Sequence, residues 1–333
     1  MSVVSRWLTI AAALATVATA SAPAAAVRRT ATTRVAAPAY VSLTTWARAN
    51  EFAVRWLERD RTLQLSNRNA RLVFTVDPRQ DSRRAEINGV EVLLAFPLLS
   101  RNGITSIAQT DLDETLRPVL SPSRNPPGKK IRTVCLDPGH GGRDPGYQVR
   151  SHDEKDYTLL LAQEVREQLK AAGFNVLLTR TSDVFVERFR RPDIARRNNA
   201  DLFVSLHFNA FPSSPDVKGL EVYCCTPAGA ASSNTGGEGD TRWVAGNRND
   251  EKNMLLAYHM QHSLTKSLPI FDRGVKRARF DVLAGATMPA ILIEGGFMSH
   301  PAEGKKIFDP AYRRQMARSI VEGILAYQRA VKG

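Results

Sequence analysis

Four residues of this chain have types and settings that could do chemistry. His140 follows Asp137-Pro138-Gly139 and precedes Gly141-Gly142, so an imidazole stands where the apolar run 131–136 breaks into a turn. His207 closes a second apolar run, 202–206, and Glu294 closes a third, 289–293. Glu154 opens a stretch of helical period. Two histidines and a glutamate at strand ends and a helix start match the ligand set of catalytic zinc sites, which leave one position for water. Glu294 is then free to act as the base. The chemistry this implies is metal-assisted hydrolysis.

Each residue also has a plainer explanation. A single histidine is ordinarily a surface or packed side chain. Glu154 could be a first-turn acid favoured by the helix dipole. Glu294 is the hardest to explain away, because a carboxylate at the end of a buried run is costly without a cation or a task. Of the remaining histidines, His152 lies close enough to Glu154 to stand in as a ligand, but its loop is polar. His259 and His262 share one helix without a third ligand nearby, and His300 precedes Pro301 in a turn. Gly139–Gly142 is not a phosphate loop, since no Gly-Lys-Ser/Thr follows.

The elements that must hold these residues alternate. Strands are expected at 131–136, 175–178, 201–206, 220–224 and 290–293. Helices are expected at 156–172, 184–198, 251–267 and 312–331, with Pro192 interrupting the second. Such alternation predicts an α/β domain, a mostly parallel sheet flanked by helices, over 131–333. Residues 121–130, SPSRNPPGKK, read as a linker. Residues 40–120 read as a small α+β domain of short hairpins turning at Asn88-Gly89 and Asn102-Gly103. They contain no histidine.

The chain of 333 residues carries 46 Lys+Arg against 33 Asp+Glu, a net charge of +13. This surplus favours anionic partners. No basic block interleaved with aromatics is present, so nucleic acid is not indicated. Residues 1–26 read as a signal peptide: Arg6, an apolar stretch too short to span a bilayer, then small residues. Residues 27–39 follow as a flexible leader. Export to the periplasm or cell envelope is implied, without stable membrane insertion after cleavage. Cys135, Cys224 and Cys225 include no Cys-x-x-Cys, so a thiolate metal site is not indicated, and buried free thiols are expected.

Read together, LDPGHGGRDPG, Glu154-Lys155, TRTSD, RPDIARRNNADLFVSLHFNA, GLEVY and RGVKRARFDVLAGATMPAILIEGGFMSH resemble the zinc-dependent N-acetylmuramoyl-L-alanine amidases of the Amidase_3 type, from about residue 131 to about 331. The resemblance implies Zn²⁺ on His140, Glu154 and His207, with Glu294 as base. The bond implied is the amide joining N-acetylmuramic acid to L-alanine in peptidoglycan, cut during wall remodelling or daughter-cell separation. Another zinc amide hydrolase, such as a peptidoglycan carboxypeptidase, and a non-catalytic wall-binding protein remain the alternatives. Residues 40–120 resemble in outline the N-terminal stalk module of copper amine oxidases, and a spacer and a wall-binding module are both open.

Between 226 and 250 runs a long Gly/Ser/Asn-rich insertion. Some members of this family carry an inserted plug that an activator protein removes, which makes an activator a candidate partner. The insertion has little helical period, so a loop beside the substrate is expected. A gate in which Glu238 reaches the metal is the alternative.

Overall fold

The computed structural model describes residues 38–77, 79–235 and 239–333. The stretch read as a signal, most of the leader and Glu238 lie outside the described residues.

The N-terminal part begins with β1 (Tyr40–Ser42) and α1 (Leu43–Ala49). The hairpin strands β2 (Ala53–Glu58), β3 (Thr62–Ser66), β4 (Arg71–Thr75), β5 (Arg84–Ile87) and β6 (Val90–Leu93) pair antiparallel in sequence order. β7 (Leu99–Arg101) and β8 (Ile104–Ala108) form a separate small sheet with β1. The Asn-Gly turns fall where expected: Asn88, Gly89, Asn102 and Gly103 all have positive φ, as tight hairpins demand. Three short helical turns, Gln109–Asp111, Leu112–Leu116 and Arg117–Leu120, complete this part. The stretch 121–130 packs back on the chain, and the Asn125 amide donates to the Val331 carbonyl at 2.8 Å.

The sheet that carries the site is built around β9 (Thr133–Pro138), whose residues Val134 to Pro138 are all buried. Cover on both faces is what a central parallel strand requires. A two-stranded ribbon follows, β10 (Gln148–Val149) with β11 (His152–Asp153). Then come α2 (Glu154–Ala171), β12 (Asn175–Leu178), α3 (Arg190–Arg197), β13 (Leu202–Asn209), β14 (Leu220–Cys224), α4 (Asp250–Ser267), β15 (Asp272–Arg277), α5 (Asp281–Ala284), β16 (Ala290–Phe297), α6 (Pro301–Phe308) and α7 (Pro310–Ala330). β12, β9, β13 and β16 are mutually parallel. β14 joins β16 antiparallel and β15 joins β14 parallel.

Successive residues of a strand point to opposite faces, and the core divides accordingly. Val134, Leu136, Val204, Leu206, Ile291 and Ile293 pack under α2, α4 and α7. Cys135, Phe203, Tyr223, Ala290 and Leu292 pack on the other side with Ala195 of α3 and Val282 and Leu283 of α5. The three cysteines are free and buried. Cys225 lies on the Cys135 side and Cys224 on the opposite one, and burial pushes the Cys225 thiol up to about 12.

Two features depart from the periodicity. The helix expected over 184–198 forms only as Arg190–Arg197, because the Arg191 guanidinium takes the Val186 carbonyl at 3.0 Å and holds the preceding residues in a bend. β15 reads DRGVKR and has no strand pattern, yet it bridges the two parts. Val275 pairs with Val92 of β6, so a single 11-stranded sheet runs from β12 to β2. Among the described residues, no helix is long and apolar enough to cross a membrane.

Candidate metal centre

The parallel strands end together, and their ends carry three of the four candidate residues. β13 and β16 are in register with His207 opposite Glu294. Directly opposed residues share a face, so imidazole and carboxylate stand side by side. β9 ends one strand over, and its turn delivers His140 in the left-handed conformation, φ 61°. Glu154, the first residue of α2, reaches the same point from the helix N-terminus.

Three of the four converge. His140 Nε2 lies 3.1 Å and His207 Nδ1 3.0 Å from one oxygen, Glu154 Oε1. The two rings sit edge to face with centroids 4.8 Å apart, and one ligand atom from each of the three residues falls within 4.8 Å of the others. Both imidazoles turn a nitrogen onto one carboxylate oxygen, and the three residues form a group that could hold a metal ion. Two imidazole nitrogens and a carboxylate oxygen also suit a zinc-like divalent ion. The outer partners are present as well. Asp144 stands 3.0 Å from the far nitrogen of His140, as is usual behind a ligating histidine. Glu154 is fixed by the backbone N–H groups of Phe208 (3.1 Å) and Tyr147 (2.9 Å). Burial pushes the Glu154 carboxyl up, but hydrogen bonds from His140 and His207 outweigh it and hold the group well below the carboxylate range.

Two glycines make the cradle. A Cβ on Gly139 would lie 2.2 Å from His207 Cε1, and one on Gly146 would lie 2.6 Å from Glu154 Oε2 and 2.7 Å from His140 Cδ2. The loop backbone is pinned by two buried arginines. Arg180 donates to the Pro138 and Gly139 carbonyls at 3.0 and 2.8 Å. Arg191 donates to the Pro138 and His140 carbonyls, both at 2.8 Å, and pairs with buried Asp137 at 2.8 Å. Sequence reasoning left both arginines unassigned.

Glu294 stands beside this group. Its Oε2 is buried without a hydrogen-bond partner among the described residues. Burial, then the charges of Glu154 and Glu221, raise its carboxyl well above the usual range, and Lys276 pulls the other way. Glu221, opposite Glu294 on β14, is the group the sequence concealed. It is buried and neutralised by Arg273 and by Lys276 at 2.8 Å, and it accepts from Tyr223 Oη at 2.6 Å. A carboxylate inside an apolar strand was its one sequence signal.

The remaining histidines are structural. His152 meets Tyr157 Oη at 2.5 Å and stacks on Phe308. His259 and His262 flank Tyr258. His300 Nδ1 accepts the Glu303 N–H at the start of α6.

The four residues line a cleft of about 440 Å³ together with Asp144, Tyr147, Arg188, Asn209, Arg279 and Asp281. None of these lining residues comes from the insertion, which reaches the cleft wall through Arg279. Arg279 donates to the carbonyls of Pro227, Ala230 and Arg242 at 2.6, 2.8 and 3.3 Å, which straps the insertion to the cleft wall.

A cleft at the carboxyl ends of parallel strands, lined by a His-Glu-His group that could hold a metal ion and by a further buried carboxylate, is where an α/β enzyme places its site. The profile of the N-acetylmuramoyl-L-alanine amidases, Amidase_3, matches residues 134–326, which include all four site residues, and the chain belongs to that family. It is 35% identical over 243 residues to the N-acetylmuramoyl-L-alanine amidase AmiC of Neisseria meningitidis, covering 66% of this chain and 57% of that protein. It is 31% identical over 246 residues to AmiA of Escherichia coli, covering 67% and 84%. The solved amidase AmiC2 of Nostoc punctiforme superposes with a TM-score of 0.51 at 34% identity, over 61% of this chain and 99% of that one. The chain thus spans little more than half the length of the meningococcal relative.

Proposed function

We propose that this protein is an exported zinc enzyme that hydrolyses the amide between N-acetylmuramic acid and L-alanine in peptidoglycan. The observation that carries this is the His207–Glu294 register beside the His140–Glu154 pair. It joins a metal-ligand triad to a base within the matched family region. His140, Glu154 and His207 would hold Zn²⁺, which when bound supplies a Lewis acid and makes water more acidic.

The protein's own groups do the rest. The Phe208 and Tyr147 amides hold Glu154 in place, and Asp144 stands 3.0 Å from His140 Nδ1. Glu294 accepts a proton from the attacking water and returns it to the departing amine of L-alanine. Burial and its acidic neighbours raise its affinity for that proton. Glu221 lies behind it with its own charge matched by Arg273 and Lys276, so Glu294 is the less compensated carboxylate.

The leader sequence and the positive charge support export toward an anionic wall. Residues 40–120 serve as a rigid appendage of the catalytic part. The Val92–Val275 pairing supports this, as does Arg277, which donates to Thr115 Oγ1 at 2.7 Å and to the Glu114 carbonyl at 3.1 Å.

The test is digestion of purified peptidoglycan by the protein with and without chelator, beside Glu294→Gln. Release of stem peptides with a free L-alanine amine, lost in both controls, is expected. Stems shortened from the far end would identify a carboxypeptidase instead.

A further inference from the structure

The cleft presents three guanidinium groups, and among the described residues only Arg188 has both terminal nitrogens unengaged. Arg191 spends its nitrogens on Asp137 and on the carbonyls of Val186, Pro138 and His140. Arg279 spends its nitrogens on three carbonyls of the insertion. Arg188 differs. Its one partner among the described residues is Asp281, 3.1 Å from Nε, and the two side chains are 78% and 56% exposed. Its Nη1 and Nη2, the fork that pairs with carboxylates, meet no acceptor among the described residues.

Its place is also fixed. The Arg191 N–H donates to the Arg188 carbonyl at 3.3 Å, while the Arg191 guanidinium holds the His140 carbonyl. Arg188 is therefore built onto the same framework as the ligand loop. A substrate carboxylate is attracted to the unengaged fork of Arg188. The ion pair with Asp281 is exposed and contributes little stability, so an incoming carboxylate can take Asp281's place.

We propose that Arg188 is a specificity-determining residue. It binds the free carboxylate of the stem-peptide residue that follows L-alanine, and Asp281 holds the guanidinium ready when the cleft is empty. The proposal rests on the amidase function above and names the form of stem that this site prefers, one whose second residue keeps its carboxylate rather than a carboxamide.

The experiment compares two substrates with the full chain: muramoyl-L-alanyl-D-glutamate and muramoyl-L-alanyl-D-isoglutamine, each with its γ-carboxyl blocked as a methylamide, so that the α-carboxylate of the first is replaced by a carboxamide in the second. Wild-type kcat/KM is expected to favour the acid by about 10-fold or more, from a charge-assisted hydrogen-bond pair. Arg188→Gln brings the ratio to about one, with the change in KM, while Arg188→Lys keeps part of the preference. Asp281→Asn widens the preference by removing the competitor. Arg188 is exposed, so the variants should fold, and thermal unfolding checks this. Equal kcat/KM in the wild type, or a ratio unmoved by Arg188→Gln, overturns the assignment to Arg188 and leaves the amidase function standing. Hydrolysis of neither substrate by zinc-supplied protein overturns the amidase function and this assignment with it.

Discussion

Arg191→Met tests whether the ligand loop is held by the buried ion pair beneath it. Arg191 and Asp137 lie 2.8 Å apart with side chains 4% and 0% exposed. Without the guanidinium, Asp137 keeps only the hydroxyls of Thr179 at 2.6 Å and Ser205 at 2.7 Å. Removing one partner of a buried pair costs about 3–5 kcal/mol, because the other charge is left uncompensated. The carbonyls of Val186, Pro138 and His140 lose donors too, at roughly 1 kcal/mol or more each, but these losses overlap with the first and do not simply add. We expect a loss of about 4 kcal/mol, and at roughly 2–4 °C per kcal/mol a fall in Tm on the order of 10 °C. Circular dichroism melts measure it, with metal content determined in parallel. Asp137→Asn combined with Arg191→Met should recover a sizeable part of the loss, because it removes the orphaned charge. A single variant melting within about 2 °C of the wild type would refute the reasoning.

Glu294→Gln should lower peptidoglycan hydrolysis by roughly 10²-fold or more while bound metal stays at the wild-type level; an active variant sinks the base assignment. His140→Ala and His207→Ala should each lose bound zinc, measured by mass spectrometry of the desalted protein, and chelator should abolish activity in the parent. Gly139→Ala should do the same without touching a ligand, since its methyl would overlap the His207 ring at 2.2–2.6 Å; full metal content would show the cradle to be looser than drawn. A pH dependence follows from two acids near buried Arg277. Burial, then the charge of Asp250, raises Glu114 from 4.5 to about 7, and burial raises Asp250 from 3.8 to about 6. Both hold their protons more tightly folded than unfolded. Their contribution is therefore full below about pH 4 and is lost as pH rises through 6 and 7. Urea titrations at pH 5 and pH 8 should show Glu114→Gln gaining on the wild type at the higher pH, and an equal gap at both would contradict this.

The sequence by itself determined the parts that depend on local chemistry. The apolar runs ending at Leu136, Leu206 and Ile293 read as core strands, and the glycines around His140 marked a tight turn. The tertiary structure adds that a Cβ on Gly139 would meet the His207 ring. Asn-Gly placed two hairpins because few other pairs adopt positive φ twice in succession. Neighbouring cysteines on opposite faces follow from strand geometry alone.

What only the tertiary structure decided depends on partners far apart in the chain. His207 and Glu294 become neighbours through the register of β13 and β16, which no local pattern encodes. Glu221 is tolerable in a core strand only because Arg273 and Lys276, on a strand some fifty residues later, cancel its charge. For the same reason β15 hid from periodicity. DRGVKR is polar by composition, and it forms a buried strand because Glu221, Thr115 and the Glu114 carbonyl take its cations. Arg180 and Arg191 have no assignable role until the fold buries them beneath the ligand loop. Sequence period reports which face of an element is apolar. It cannot report which buried charges will find an opposite charge, because that match exists only once the chain has closed.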